Sequence, residues 1–464
     1  MKTTLGLMSL TALLLACTPK QSENKIQIEP LTEKEIKAVH VSLQTGMPLD
    51  EALNLNDSCE DLPLPADFSK GFIEVPEDYN NPQGRKIQVF YYGKLEAGKD
   101  PVVFYNGGPA SDSHSSYSVL SEKSESQNFS FLYIDQRGTG CSDQFPTAAT
   151  KETVERLAHY GSTEIVKDSE VVRKKLLGEQ SQWKVFGQSY GGLIVHRYAM
   201  VAPQSIKGAY AHGFSLMQDQ TEWLKLRIQS QKRVLKMYMK DYPEDEAKLT
   251  KLRSLVKEDL CFQDKGTEVC GPKLLDALTI FLGFSNSWPR MHSAIGNLLN
   301  GNDTLDMQAL QDFVRYYVFG VYNNNGLAGS VISMVEISGG DSDSDSCRRV
   351  QEKLTQEGLE PEKWLLNECR LLAGMKNDTW AELLKDVSFQ YGMTPVDLKN
   401  SLEKNPALPF FLYSGEKDVF VPIETFTEEV KELGSRITYR QFPDSGHEGF
   451  YTEPQVWADL LSVH

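Results

Sequence analysis

The sequence predicts an α/β protein: a mostly parallel sheet with helices on both faces, interrupted late in the chain by a helical insertion. Three observations point there. Short apolar runs at residues 101–105 (PVVFY), 131–134 (FLYI) and 183–186 (WKVF) each end at a Gly- or Asp-bearing turn. Parallel strands buried on both faces read this way. Helical patterns separate the runs, for example at residues 150–178, and alternating strands and helices imply a covered parallel sheet. Residues 216–403 differ: amphipathic stretches at 221–239, 244–256, 273–281, 306–318 and 381–387 dominate, and strand-like runs are few.

The elements follow in order. Residues 69–75 and 86–94 have strand character, with Asn80, Asn81, Pro82 and Gly84 as turn signals between them. The apolar runs come next, then the insertion. Beyond it, residues 408–413 (LPFFLY) and a weaker run at 436–442 return the chain to the sheet. The organisation expected is an export signal over 1–16, a tether and N-terminal extension over 17–57, sheet domain over 58–215, helical cap over 216–403 and sheet domain again over 404–464. A length of 464 residues suits a large core carrying an inserted second domain. The net charge of −16 repels phosphate backbones and argues against a nucleic-acid partner.

The first residues read as an export signal: Lys2, then an apolar run over 5–16 too short to span a bilayer. The run ends in Leu14-Leu15-Ala16-Cys17, which resembles the lipobox of bacterial lipoproteins. That resemblance implies cleavage before Cys17, diacylglycerol on its thiol and, with Thr18 rather than Asp next, the outer membrane. Residues 18–31, polar with two prolines, read as a flexible tether, and 32–46 as a short helix ending at Gly46. The remaining six cysteines are an even number in an exported chain, which favours disulfides. Short separation favours Cys261–Cys270 and Cys347–Cys369, leaving Cys59–Cys141. A zinc site is the rival reading, but neither CxxC nor HxxxH spacing occurs.

The chemistry centres on Gly187-Gln188-Ser189-Tyr190-Gly191, followed by Gly192. It lies directly after the 183–186 run and before a helical stretch, 193–202. That strand–turn–helix context is what a G-x-S-x-G nucleophile elbow needs, and small neighbours are required because the turn is sharp. A serine hydroxyl is a poor nucleophile unless a base accepts its proton and an acid orients that base. In the α/β-hydrolases the chain order is Ser, then Asp or Glu, then His. His447, in the loop after the 436–442 run, fits the base better than the terminal His464. Asp418, just past the preceding run, fits the acid, with Glu416 the local competitor. The oxyanion needs two donors. The backbone N–H of Tyr190 is one candidate; that of Gly108, in Asn106-Gly107-Gly108-Pro109 after the 101–105 run, is the other.

Asn106-Gly-Gly-Pro109, the stretch 135–142 (DQRGTGCS), Gly187 to Gly192, Gly415 with Asp418 and Pro422, Gly446-His447, and residues 72–79 (FIEVPEDY) together resemble the prolyl and tripeptidyl aminopeptidases. The resemblance covers the sheet domain, and no motif carries it into the cap. It implies an α/β-hydrolase sheet with a helical cap, needing neither metal nor organic cofactor, and peptide substrates whose free α-amine meets acidic residues in or near the cap. Glu222, Glu336 and Glu448 are the candidates for that contact, though surface charge is the safer reading of each. Asn106 and Ala110 depart from the His and Gly usual at these places in prolyl iminopeptidases, and Asn at 106 is more like the tripeptidyl branch. Arg137 is expected to knit turns to Asp135 rather than to touch substrate. An esterase or amidase on the same triad, and a non-catalytic peptide-binding lipoprotein, are the competing readings.

Overall fold

The computed structural model describes residues 25–45, 47–53, 64–109, 111–121, 123–146, 150–217, 219–264, 267–301, 304–322, 343–356 and 393–463. Cys17, Cys59, Glu336, Cys369 and the expected helix at 381–387 lie outside them.

Eight strands form the main sheet: β1 (Ser69–Pro76), β2 (Lys86–Gly93), β3 (Asp100–Tyr105), β4 (Phe129–Ile134), β5 (Trp183–Gln188), β6 (Ile206–His212), β7 (Phe410–Gly415) and β8 (Thr438–Phe442). Their spatial order is 8-7-6-5-3-4-2-1. Strands β3 to β8 are mutually parallel, with Val103 opposite Val185 and Phe186 opposite Tyr210. The hairpin β1–β2 joins antiparallel to β4.

The apolar runs became strands because both faces of the sheet are covered. Every residue of β4, β5 and β7 is buried. On one face Val103, Val185 and Leu412 pack against Val172 and Ile194 of helices Ser162–Leu177 and Tyr190–Val201. On the other, Phe104, Phe186 and Tyr210 pack with Val456, Trp457 and Leu460 of helix Pro454–Ser462. Each fully buried Val, Leu or Phe contributes roughly 1.5–3 kcal/mol relative to leaving it in water. The pattern expected over 150–178 is two helices, Lys151–Leu157 and Ser162–Leu177, divided before Gly161, the N-cap of the second.

Strand β6 had no counterpart among the sequence expectations. Its residues, IKGAYAH, include Gly and two Ala and lack the β-branched run that marks a strand. It forms because β5 and β7 leave a slot between them that backbone pairing on both edges fills.

The insertion is mostly helical, as expected, but differs in the kind of helix and carries short strands. Helices Gln220–Asp241, Asp245–Leu255 and Trp288–Asn297 enclose a core of Leu235, Leu249, Phe281, Trp288 and Met291. The stretch expected as a helix over 273–281 is a 3-10 helix, Gly271–Leu278, continued by a short α-turn, Thr279–Leu282. That expected over 306–318 is α-helical over Met307–Phe313 and then a π-helix, Val314–Tyr322. A hairpin, Cys261–Asp264 and Thr267–Cys270, is closed by the expected Cys261–Cys270 disulfide, so neither thiol is left as a metal ligand. Cys141 is also disulfide-bonded.

Part of the expected tether is ordered against this insertion. Lys25–Gln27 pairs parallel with the hairpin, Ile26 opposite Phe262. The alternation Lys-Ile-Gln-Ile explains it: one face is apolar, and Ile28 is buried in the insertion's core. Helix Glu33–Thr45 follows, started by a capping box in which Thr32 and Glu35 exchange side-chain-to-backbone bonds of 2.8 Å and 3.2 Å. It buries Val39 and Leu43 in the same core. Among the described residues no helix is long and apolar enough to cross a membrane.

Candidate active site

The elbow is a sharp turn with unusual backbone at its centre. Ser189 has φ 57° and ψ −123°, and it is the sole non-glycine with positive φ among the described residues. Such backbone persists only where the surroundings fix it. Here β5 ends at Gln188, the Ser189 N–H donates to the His212 carbonyl of β6 at 2.8 Å, and helix Tyr190–Val201 starts at once. The motif's glycines are contact points. A Cβ on Gly187 would lie 2.1 Å from the Gly191 carbonyl, and one on Gly191 would lie 2.0 Å from that of Tyr105. Ser189 is half-buried between buried neighbours Gln188 and Tyr190, so the turn presents this one side chain.

The acid and base meet at the carboxyl ends of the neighbouring strands. Asp418 lies three residues past β7, and His447 lies in the loop after β8. His447 Nδ1 is 2.6 Å from Asp418 Oδ2 across a separation of 29 residues. Asp418 is fully buried, and its Oδ1 accepts from the N–H groups of Phe420 (2.8 Å) and Val421 (2.9 Å). The carboxylate is thus fixed by its own loop before it meets the imidazole. Glu416 does not compete: it is half-buried, and its carbonyl accepts from Arg233 at 2.6 Å. Phe420 and Phe284 stand edge-on to the His447 ring, with centroids at 5.3 and 6.0 Å, and wall the dyad from water.

The elbow reaches the base through Gln188, whose Nε2 donates to the His447 carbonyl at 3.2 Å. The Ser189 hydroxyl has no hydrogen-bond partner among the described residues. Catalytic bonds are often long in unliganded enzymes and tighten when substrate is seated. Behind the ring lies His212, fully buried at the end of β6, its centroid 6.4 Å from that of His447. Burial, with the nearby His447, holds its pKa well below the usual imidazole range, so it stays neutral beside the dyad. Neither Gln188 nor His212 was singled out from sequence. Gln188 stood inside the motif, but nothing in a lone sequence told a positioning residue from a spacer.

The second loop of the site follows β3. Asn106 is buried: its Oδ1 accepts from the Gly107 N–H at 2.8 Å and its Nδ2 donates to the Asp112 carbonyl at 2.6 Å. That leaves the next N–H of the loop, on exposed Gly108 at φ 107°, with no acceptor among the described residues. Gly107 backs against the elbow, since a Cβ there would meet the Ser189 Cβ at 2.8 Å. Tyr190 is buried at the first position of the elbow helix. Gly107, the neighbour of Gly108, and Tyr190 thus both adjoin Ser189.

The 135–142 stretch underpins that loop. Gln136 Nε2 donates to the Asn106 carbonyl at 2.9 Å, and Asp135 accepts from the Ser113 N–H and the Cys141 N–H at 2.8 Å each. Burial, with Asp112 nearby, pushes the Asp135 carboxyl up to about 6. Arg137 does not pair with Asp135 as expected. It makes a buried bidentate pair with Asp168 at 2.6 and 2.7 Å and donates to the carbonyls of Glu77 and His159. Arg137 lies in the turn three residues past β4, where its guanidinium reaches Asp168 of helix Ser162–Leu177, while Asp135 is taken up by the Ser113 and Cys141 N–H groups.

Of the three carboxylates proposed for amine contact, two lie among the described residues. Glu222 sits in the first turn of helix Gln220–Asp241, 3.5 Å from Lys225. Glu336 lies outside the described residues. Glu448 is buried and accepts from the N–H groups of Ser285 and Gly446, each at 3.1 Å.

Comparisons with known proteins agree with this geometry at the level of fold. Residues 100–257 match the family described as the alpha/beta hydrolase fold. Proline iminopeptidase aneH of Aspergillus aculeatus is 23% identical over 325 residues, covering 64% of this chain and 70% of that protein. The proline iminopeptidases of Aeromonas sobria and Neisseria gonorrhoeae are 27% and 28% identical over 31% and 34% of this chain. The chain spans less than half the length of those two relatives, 36% and 44%. Among solved structures, a proline iminopeptidase of Mycobacterium smegmatis is 13% identical with a TM-score of 0.40, covering 84% of this chain and 98% of that one. The chain has the α/β-hydrolase fold, and its similarity to proline iminopeptidases supports a hydrolase.

Proposed function

We propose that this protein is a serine aminopeptidase that releases N-terminal residues from peptides through an acyl-enzyme. The observation that carries the reading is the buried Asp418–His447 pair at 2.6 Å, tied through Gln188 to the elbow that holds Ser189 at φ 57°. In this reading Ser189 Oγ attacks the scissile carbonyl. His447 Nε2 takes the hydroxyl proton and returns it to the leaving amine, while Asp418 holds the Nδ1–H tautomer. The N–H groups of Gly108 and Tyr190 stabilise the oxyanion, and water then reverses the steps to free Ser189. The relatives' names support peptide rather than ester substrates. By its lipobox, the protein is further proposed to be held at the outer membrane through lipid on Cys17.

The test is hydrolysis of a chromogenic panel by protein lacking residues 1–17. The panel holds free-amine Pro and Ala amides, a free-amine tripeptide amide, their N-acetylated forms and a short acyl ester, each with a Ser189→Ala control. Cleavage of the free-amine amides alone, lost in the control, is the expected result, and the best substrate separates the prolyl from the tripeptidyl branch. Turnover of the ester alone refutes the peptidase reading and leaves the triad; turnover that survives Ser189→Ala refutes the triad.

A further inference from the structure

The loop that carries His447 is gripped by the insertion, not only by the sheet. The His447 N–H donates to the Gly283 carbonyl at 2.7 Å, while the His447 carbonyl accepts from Gln188 at 3.2 Å. The base's own main chain is thus held between the insertion and the elbow. The next residue, Glu448, fastens the same joint. It is 1% exposed, and no ion pair neutralises it among the described residues. Its oxygens accept instead from the Ser285 N–H at 3.1 and 3.2 Å, from the Ser285 hydroxyl, and from the Gly446 N–H at 3.1 Å. Burial still raises its pKa above the usual carboxylate range, with those bonds opposing the rise. The approach is close enough to require glycine, since a Cβ on Gly446 would lie 2.3 Å from the Gly283 carbonyl.

A buried carboxylate without a cation is costly unless several donors face it. Surface charge does not account for Glu448, and direct amine binding would have to compete with the donors already in place. We propose that Glu448 is a positioning residue: by latching the Ser285 turn of the insertion to the His447 loop, it sets the register of the base against Ser189. The inference rests on the triad reading above. The carboxylate touches no reacting atom and acts through the His447 backbone. A shift of about 1 Å in a catalytic group costs about a hundredfold in rate.

The test uses Glu448→Ala, Glu448→Gln and Ser285→Ala in the otherwise intact protein. The two readouts are labelling of Ser189 by a fluorophosphonate, which needs the base but no amine, and steady-state hydrolysis of the best peptide amide. Glu448→Ala is expected to lower both the labelling rate and kcat by about a hundredfold with KM little changed. Glu448→Gln, which keeps one acceptor oxygen, should recover much of the loss. Ser285→Ala should fall between, and combining it with Glu448→Gln should cost less than the sum of the two, because both act through one joint. If Glu448→Ala does not fold, the other two variants carry the test. Wild-type labelling rates in folded variants, or a loss confined to KM for free-amine substrates, would overturn the inference; the second result would return Glu448 to amine recognition. Wild-type protein that is not labelled at Ser189 would instead defeat the triad reading, and this inference with it.

Discussion

Asp418→Asn replaces one oxygen of the buried dyad by nitrogen, and the surroundings dictate which one. Oδ1 faces two backbone donors, Phe420 and Val421, at 2.8 and 2.9 Å. An amide NH2 turned that way would meet both N–H groups head-on, so the asparagine must keep its carbonyl oxygen there. Its NH2 then faces His447 Nδ1, where the carboxylate stood 2.6 Å away. Nδ1 becomes the acceptor and the ring proton moves to Nε2, the nitrogen that receives the proton of Ser189 in the proposed mechanism. The variant keeps both loop bonds and its shape, so the fold should persist while the base is blocked. The expected loss in kcat is about ten-thousandfold, equivalent to about 5 kcal/mol of barrier. KM should change only a few-fold. Steady-state hydrolysis of the best amide and fluorophosphonate labelling of Ser189 measure the loss, and a thermal melt by circular dichroism checks the fold. A folded Asp418→Asn protein within tenfold of wild-type kcat would refute the argument that this dyad sets the tautomer.

Three further outcomes follow from the packing and charges described. Gly191→Ala drives a Cβ to 2.0 Å from the Tyr105 carbonyl, a backbone atom in the middle of the sheet. It should cost about 3 kcal/mol or more, read as a lower urea midpoint or loss of soluble protein. Arg137→Met leaves the buried Asp168 carboxylate without its cation and should cost about 3–5 kcal/mol in urea unfolding, with residual activity following the folded fraction. The Glu77 carboxyl is pushed up by burial, but the bonds from Arg156 and Tyr160 more than offset this and leave it below the ordinary 4.5. Its stabilisation is therefore complete above that value and is lost as pH falls through the depressed native one. Urea unfolding from about pH 7 to about pH 3 should show a gap between wild type and Glu77→Gln that closes on the acid side; a gap that widens would contradict the sign.

What could be read from sequence was what local constraints fix. A strand buried on both faces is mostly apolar, so β3, β4, β5 and β7 announced themselves by their apolar runs. The elbow did so too, because its glycines are excluded-volume requirements within a few residues of Ser189. The expectation of Asp418 and His447 followed from chain order once the runs at 408–413 and 436–442 were placed, and the two side chains do meet, at 2.6 Å. Strand β6 did not announce itself, because its neighbours supply the pairing and the burial that its small side chains leave unmarked. Lys25–Gln27 was misread for a related reason: three residues of alternation gain meaning only beside an open hairpin edge.

The contacts that sequence could not show join polar residues far apart in the chain. Arg137 was paired with the wrong acid because charge is legible but direction is not; Asp168 lies 31 residues on, in a helix that packs under the strand. Glu448 and Ser285 are 163 residues apart, and either alone reads as surface. Their joint extends outward. Ser287, in the same turn, donates to the Leu43 carbonyl at 2.7 Å, and Arg290 donates to Ser287 at 2.7 Å and to the Met47 carbonyl at 3.2 Å. The N-terminal helix therefore packs against the very turn that latches the His447 loop. The sheet brings Ser189, Asp418 and His447 beyond the carboxyl ends of β5, β7 and β8 by topology alone; in the proposed reading the last ångström of register depends on the insertion and on the N-terminal segment that buttresses it. If the latch positions the base, substitutions at the Ser42–Arg290 contact should move kcat in the same sense as Ser285→Ala and more weakly, because the hydrogen-bonded chain to His447 is longer by one turn.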